Sequence, residues 1–285
     1  MIQSESHLTT SRPKWTPPFL REIETLSGEV GFIEAVHQTL EQDNIAVEID
    51  GDFEQLKDHP GGILFVGDHK NQWEFVALMD MLARMERDDM LNIAKFYVQR
   101  QVHQALGHAA SRLVAPVYPR ILANDRKELF NSETINRILY RKHLLNTAES
   151  AEANTRAIEA STKRLNEGGV VNIFPTGSVV DSLTHPWRDG VGRIISKIPK
   201  DTKNETLVAP YRLDDISRTR LIGAVAMRGK GLLGKPQTMN LHLGPIQTAA
   251  TLVDSLPEST HDDQVAITAL LRSQFISHFG AVALK

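Results

Sequence analysis

The sequence predicts an α/β fold in which a mixed central sheet is flanked by helices and preceded by a short N-terminal helical region. Two observations support this prediction. Apolar, β-prone runs alternate along the chain with segments whose apolar residues recur at helical spacing. The length of 285 residues is enough for one large hydrophobic core. We expect an N-terminal arm and helical region over residues 1–55 and an α/β domain over residues 56–285.

Each predicted element follows from its own pattern. Apolar residues lie at helical spacing from about residue 17 to 44, and Gly28 and Gly31 predict a break between two helices. Predicted strands follow at 62–66, 91–98, 113–118, 169–174, 206–212, 221–227 and 238–243. Predicted helices occupy 71–87, 99–110, 132–145, 151–167, 188–198 and 261–277. Since open α/β sheets place their chemistry at strand ends, the residues after strands 62–66 and 169–174 are the first candidates for a site.

Composition narrows the classes of function. The chain carries 32 basic and 35 acidic residues, a net charge of −3, which disfavours a nucleic-acid partner. The absence of cysteine excludes disulfides, thiolate nucleophiles and thiolate zinc sites. No apolar run approaches the ~20 residues of a membrane span, and the first residues lack the apolar core of a secretory signal. We therefore expect a cytoplasmic protein, with peripheral attachment to a membrane surface as an open alternative.

A histidine and a carboxylate follow the strand at 62–66. On one continuous helix His69 and Glu74 would point about 140° apart, so they can meet only if Glu74 begins a helix and His69 precedes it. Asn71 is a suitable N-cap for that helix. Glu74 would then orient His69 as a general base for a substrate hydroxyl. The structural alternative is a capping box between Asn71 and Glu74, with His69 as an exposed loop residue.

Two other strand ends carry candidate binding groups. The strand at 169–174 runs into PTGS (175–178), a tight turn whose glycine leaves backbone amides free for an anion or an oxyanion. Arg120 follows the strand at 113–118 and could hold a phosphate through two hydrogen bonds. An ordinary turn and a solvated arginine are the structural alternatives. The strand at 206–212 is expected to be plain core, with Arg212 as the exception.

Several other patterns are set aside on physical grounds. Residues 229–235 have P-loop spacing, but Pro236 stands where a serine or threonine should bind magnesium. His103 and His108 diverge on a predicted helix, so they do not form a metal pair. The chain also lacks the G-x-S-x-G motif of serine hydrolases. We therefore predict no metal site and no resident cofactor.

Taken in order, the motifs resemble those of the glycerolipid acyltransferase superfamily. The series is H-x-x-x-x-acid at 69–74, then strand–Arg, then F-P-x-G-S at 174–178, then V-x-P at 208–210. This superfamily includes the 1-acylglycerol-3-phosphate acyltransferases and the soluble glycerol-3-phosphate acyltransferases. The segments THPWRDGVGRI and MNLHLGPI resemble two further blocks of the family. The resemblance covers residues from about 60 to 247.

The resemblance implies an O-acyltransferase in lipid metabolism, in the class of phospholipid biosynthesis. It would move a fatty acyl group from acyl-CoA or acyl carrier protein (acyl-ACP), as co-substrate, to a hydroxyl of a glycerol-phosphate-like or other small acceptor. It also implies that His69 is the general base and that Glu74 orients it. The segment RKHLLN resembles the basic acceptor pocket of the soluble plastid-type glycerol-3-phosphate acyltransferases. By this resemblance the substrate-binding residues are Arg120, Lys142, His143, Thr176, Gly177 and Ser178.

The sequence departs from the family pattern at the turn. The family's FPEGTR is here FPTGSV, so Thr176 replaces an acidic residue and Val179 replaces an arginine. Each lost hydrogen bond to a charged group weakens phosphate binding by about 1.5–3 kcal/mol. One alternative is therefore a catalytically degenerate fold that binds acyl-CoA or a lipid-related partner without turnover. Another is a thioesterase-like activity in which water replaces the acceptor.

Overall fold

The structure is a computed structural model, and it describes residues 18–68, 73–95, 114–117, 147–177, 181–214 and 237–282. Over these ranges the protein has nine α-helices and an eight-stranded mixed sheet. The predicted fold class, a mixed central sheet flanked by helices, is confirmed. The strand predicted at 221–227 and the helices predicted at 99–110 and 132–145 lie outside the described residues.

Numbered in chain order, the described helices are α1 (Pro18–Val30), α2 (Phe32–Gln42), α3 (Phe53–Lys57), α4 (Trp73–Arg84), α5 (Thr147–Asn166), α6 (Gly190–Lys197), α7 (Lys200–Glu205), α8 (Ala249–Asp254) and α9 (Gln264–Val282). A 3-10 turn spans Glu258–Thr260. The described strands are β1 (Ile45–Asp50), β2 (Ile63–Gly67), β3 (Leu91–Lys95), β4 (Val114–Val117), β5 (Val170–Ile173), β6 (Leu207–Leu213), β7 (Gln237–Leu243) and β8 (Gln247–Thr248).

The strand order of the sheet is β1-β7-β6-β2-β5-β3-β4, and β8 pairs with the first half of β6. From β6 to β4 every pairing is parallel, whereas β7 runs antiparallel to β6 and carries β1 parallel to itself. The carboxyl ends of β2, β5 and β6 therefore lie side by side. We call this side of the sheet the carboxyl edge.

Two apolar layers cover the sheet. On one face, alternate residues of β1, β2, β6 and β7 pack against α2 and α4. On the other face, the intervening residues of β2, β5 and β6 pack against α5, α6, α8 and α9. All five residues of β2 are buried, because this central strand is covered on both sides.

The N-terminal segment contains a strand that the sequence prediction missed. The break between α1 and α2 falls at Gly31, whose φ of +89° favours glycine, so the predicted break is confirmed. The missed feature is β1, which pairs with β7 along its whole length. Its buried and exposed residues alternate, and Glu48 and Asp50 are exposed. A short edge strand with acidic residues lacks the continuous apolar run that marks β2 and β5.

A histidine joins three strands beside the carboxyl edge. The His242 side chain, on β7, contacts Asp50 Oδ2 through Nδ1 at 3.0 Å and Asp214 Oδ1 through Nε2 at 2.9 Å. Asp50 ends β1 and Asp214 follows β6. Both ring nitrogens can donate only in the imidazolium form. Partial burial of His242 lowers its pKa, but the hydrogen bonds and negative charges of the two aspartates outweigh burial and raise the pKa overall.

We expect this contact to make stability depend on pH. A raised folded-state pKa means that the stabilisation is fully present below the unfolded-state pKa of about 6.5 and is lost as pH rises through the folded-state pKa. The melting temperature should therefore fall over this window in the wild type, and His242→Gln should remove that part of the slope. Thermal melting measured in steps from about pH 5.5 to 8.5 tests this.

The control is His261→Gln, because the His261 ring contacts the carbonyl oxygen of Leu256 rather than a carboxylate. This variant should keep the wild-type slope. An unchanged slope in His242→Gln would show that the aspartates do not hold the imidazolium.

Candidate active site

The candidate site lies at the carboxyl edge, where β2 and β5 end as paired neighbours. Their register runs from Ile63 opposite Val170 to Val66 opposite Ile173, so the segments that follow them emerge together. The first segment contains Asp68 and then residues 69–72, which include His69 and lie outside the described residues. The second segment is the turn at 174–177. Two of the motifs that carry the family resemblance thus follow adjacent strands.

Glu74 is buried at the start of α4. It lies in the first turn of this helix, as the sequence predicts, and only 1% of it is exposed. The helix N-terminus favours a negative charge there. Carboxylates are almost never fully buried without a partner. The orientation of His69 by Glu74 stays a prediction, and the capping-box alternative depends on Asn71, which lies outside the described residues.

A buried tyrosine lies beside Glu74. The Tyr211 hydroxyl on β6 donates to Asn172 Oδ1 on β5 at 3.0 Å, and Asn172 Nδ2 donates to Asn92 Oδ1 on β3 at 2.7 Å. Burial is the main cause that raises the pKa of Tyr211 well above its usual value, and the negative charges of Glu74 and Asp68 raise it further. The hydrogen bond that Tyr211 makes to Asn172 acts in the opposite direction and lowers the pKa. The hydroxyl therefore stays protonated and serves as a donor.

Gly67 makes this polar chain possible. To reach β5 from β6, the Tyr211 side chain must pass over β2, which lies between them. It passes at Gly67, where an added Cβ would collide with Tyr211 Cζ and lie 2.5 Å from its hydroxyl oxygen. A glycine at the end of β2 is therefore required by the tyrosine on the neighbouring strand.

The predicted turn after β5 is present, but one of its expected roles is wrong. The Gly177 amide donates to the carbonyl of Phe174 at 2.9 Å, which closes the turn at 174–177. Gly177 has a φ of +65°, a conformation that favours glycine. From the sequence we expected this turn to offer free amides to an oxyanion. The Gly177 amide is not free, because it is used inside the turn. Thr176 is buried, at 5% exposure, and Ser178 lies outside the described residues.

An arginine lies against this turn. The backbone amide of Arg188 donates to the carbonyl of Pro175 at 2.8 Å. Its side chain is exposed and passes over Gly177, where an added Cβ would lie 3.3 Å from Arg188 Nε. This cation is beside the turn at 174–177, which precedes in the sequence the position where Val179 stands in place of the arginine of the FPEGTR pattern.

Of the residues predicted for the site, the structure brings Glu74, Thr176 and Gly177 to one edge of the sheet. The other five lie outside the described residues: His69, Arg120, Lys142, His143 and Ser178. In the described part of the chain, no helix has the length and apolar character needed to cross a membrane. Among the same residues, no group of three or more histidine and acidic side chains is arranged to hold a metal ion.

Sequence reasoning missed Asp68, Asn172, Arg188 and Tyr211. Two of them left a signal, because Asn172 and Tyr211 are polar residues inside otherwise apolar strands, VVNI and LVAPYRL. A polar side chain in a strand that is covered on both faces needs a buried partner. Asp68 and Arg188 left no such signal, since acidic and basic residues are common in loops.

We expect Gly67→Ala to destabilise the protein by about 1–3 kcal/mol, because the new methyl group meets the Tyr211 ring and neither can shift without breaking the bond to Asn172. Urea unfolding measures this. The control is Gly28→Ala on α1, where an added Cβ meets nothing within 4 Å and a gain of about 0.5–1 kcal/mol is expected. Equal stability of Gly67→Ala and the wild type would show that the tyrosine does not rest on this glycine.

No protein-family model matches this chain, and no curated protein matches it. The likeness to the glycerolipid acyltransferase superfamily therefore rests on the motifs themselves.

Proposed function

We propose that this protein is an O-acyltransferase that moves a fatty acyl group from acyl-CoA or acyl-ACP to a hydroxyl of a small, anionic acceptor. The observation that carries the proposal is the buried carboxylate of Glu74, 1% exposed in the first turn of α4. It follows β2 by a few residues and accompanies a histidine in the H-x-x-x-x-E motif. The F-P-x-G-S motif directly follows the adjacent strand, β5.

The proposed chemistry needs no covalent enzyme intermediate. His69 takes the proton of the acceptor hydroxyl as its oxygen attacks the thioester carbonyl carbon. The carbon–sulfur bond of the tetrahedral intermediate then breaks, and the departing thiolate takes the proton back from His69. Glu74 holds the imidazole in the right tautomer and stabilises the imidazolium. The hydroxyl of the buried Tyr211, which stays protonated, lies close enough for Glu74 to raise its pKa.

An anionic acceptor is supported by the position of Arg188. This exposed guanidinium lies over Gly177, beside the turn that corresponds to the family's acceptor-binding block. Arg188 would supply a charge that Val179 does not. Arg120, Lys142 and His143 are proposed to hold the acceptor or the phosphate of the carrier. We further propose that the protein is cytoplasmic and acts in phospholipid biosynthesis. Peripheral attachment to a membrane surface is the alternative.

We expect His69→Ala and Glu74→Gln each to lower kcat by about 10²–10⁴-fold. Glu74→Gln keeps the size of the side chain and removes its charge. Because the two residues act as a unit, Glu74→Gln should cost nothing further in a His69→Ala background. The measurement is free-thiol release from long-chain acyl-CoA and acyl-ACP, with and without glycerol 3-phosphate, accompanied by thermal melting of each variant.

The matched control is Glu159→Gln, an exposed glutamate on α5, which should retain wild-type rates. Full activity of His69→Ala would remove His69 from the mechanism. If the wild type releases no thiol with any alcohol but binds the thioester stoichiometrically, the degenerate binding protein suggested by the FPTGSV segment would be supported. Free acid formed at one rate with or without an alcohol would identify a thioesterase.

We expect Arg188→Gln to raise the KM for a phosphate-bearing acceptor by about 10–100-fold, the equivalent of one hydrogen bond to a charged group. The KM for the thioester should stay unchanged. Arg156→Gln serves as the control, because Arg156 is an exposed arginine on α5 that pairs with Glu152 at 2.8 Å. An equal rise in KM for an uncharged alcohol would show that Arg188 does not recognise the acceptor's charge.

A further inference from the structure

Asp68 connects three segments at the carboxyl edge. It directly follows β2 and is 1% exposed. Its backbone amide donates to the carbonyl of Tyr211 at 3.1 Å, and its Oδ1 accepts from the amide of Ser182 at 2.9 Å. Its Oδ2 lies 3.4 Å from Arg212 Nε. One buried carboxylate thus joins the end of β2 to β6 and to the segment that leads from the β5 turn into α6.

Two partners of the carboxylate, Arg212 and Ser182, are connected to α9. Arg212, with only 13% of its side chain exposed, donates through Nη1 to the carbonyl of Phe279 at 3.5 Å. The carbonyl of Ser182 accepts from Trp187 Nε1 at 3.0 Å, and the Trp187 ring packs on Phe275, with 5.1 Å between ring centroids. Phe275 in turn packs on Phe279 at 4.6 Å.

These contacts close a ring, which we call the Asp68 ring. It consists of Asp68, Arg212, Phe279, Phe275, Trp187 and Ser182. Two members of the Asp68 ring lie next in sequence to the two halves of the site. Asp68 immediately precedes residue 69, and Trp187 immediately precedes Arg188, whose amide is bonded to the turn at Pro175.

We propose that Asp68 and Arg212 are positioning residues, which hold the end of β2, directly before the proposed base in the sequence, in a fixed position relative to Arg188 and the turn that would hold the acceptor. This inference rests on the proposed function. A buried ion pair adds little net stability compared with an apolar pair of the same size, because removing both charges from water is costly. The ion pair can instead serve catalysis by fixing geometry. A mutation far from the reacting atoms that misplaces a catalytic group by about 1 Å can lower the rate by about 100-fold.

Three variants separate positioning from stability. Asp68→Asn keeps an oxygen for the Ser182 amide but leaves the buried Arg212 charge uncompensated. Arg212→Gln removes the cation that pairs with Asp68 Oδ2, and the double variant removes both charges. We expect each single variant to lower the melting temperature and to lower kcat by about 100-fold, with the KM for the thioester unchanged. The double variant should regain most of the melting temperature but keep the low kcat, which a merely structural role would not produce.

A control pair exists away from this edge. Asp89 pairs with Arg87 at 3.0 Å just before β3 begins, at the opposite end of the parallel strands. Asp89→Asn should leave kcat unchanged. Rates are compared at a temperature where every variant is folded. Recovery of kcat together with melting temperature in the double variant would overturn the proposal.

Amide hydrogen exchange tests the Asp68 ring independently of enzymatic activity. In Asp68→Ala, which deletes the acceptor of the Ser182 amide, the peptide covering 181–189 should exchange faster, while peptides from α5 should not change. Asp68→Leu, which is close to aspartate in size and also lacks an acceptor for the Ser182 amide, provides the same readout should the alanine variant fail to fold. Unchanged exchange at 181–189 would overturn the ring even in an active enzyme. Faster exchange in a protein that turns over no acceptor would instead leave the ring intact and refute the proposed function.

Discussion

The parallel pairing of β2 with β5 on one side and β6 on the other is the constraint on which the site depends. Since the three strands end at one edge, the chain that leaves β2 and the chain that leaves β5 are neighbours from their first residue. β6 adds polar side chains on both faces of the sheet. Adjacent side chains in a strand point to opposite faces, so Tyr211 points toward α4 and Arg212 toward α9.

The two faces of the edge serve different physical purposes. Beneath α4, Tyr211, Asn172 and Asn92 form a hydrogen-bonded chain across an apolar sheet, and Glu74 adds a charge to it. Beneath α9, Asp68 and Arg212 form an ion pair that is connected to the aromatic residues of that helix. Polar groups in such a low-dielectric setting are costly to leave unpaired. Groups of this kind specify one arrangement of the strand ends more strictly than apolar packing does.

The sequence predicts the central elements well and the contacts between them poorly. β2, β5 and β6 are apolar runs of β-prone residues, and α4 has clear helical periodicity, so each could be located from local pattern alone. β1 and the short helices α3, α7 and α8 have no such pattern and were missed. Within the site, the position of Glu74 followed from helix geometry. The bond between Asp68 and Ser182 joins residues 114 positions apart, and no local property of either segment predicts it.

The strand order also determines when the sheet can be completed. β1 pairs with β7, and Asp50 meets its partner His242 192 positions later in the chain. Contacts this far apart slow folding, because the entropy of closing a long loop must be lost before the pairing stabilises anything. A ribosome making this chain will have released β1 long before β7 exists. The N-terminal strand must therefore wait with its backbone groups unpaired by β7, and its exposed Glu48 and Asp50 help to keep it from pairing with other chains during that interval.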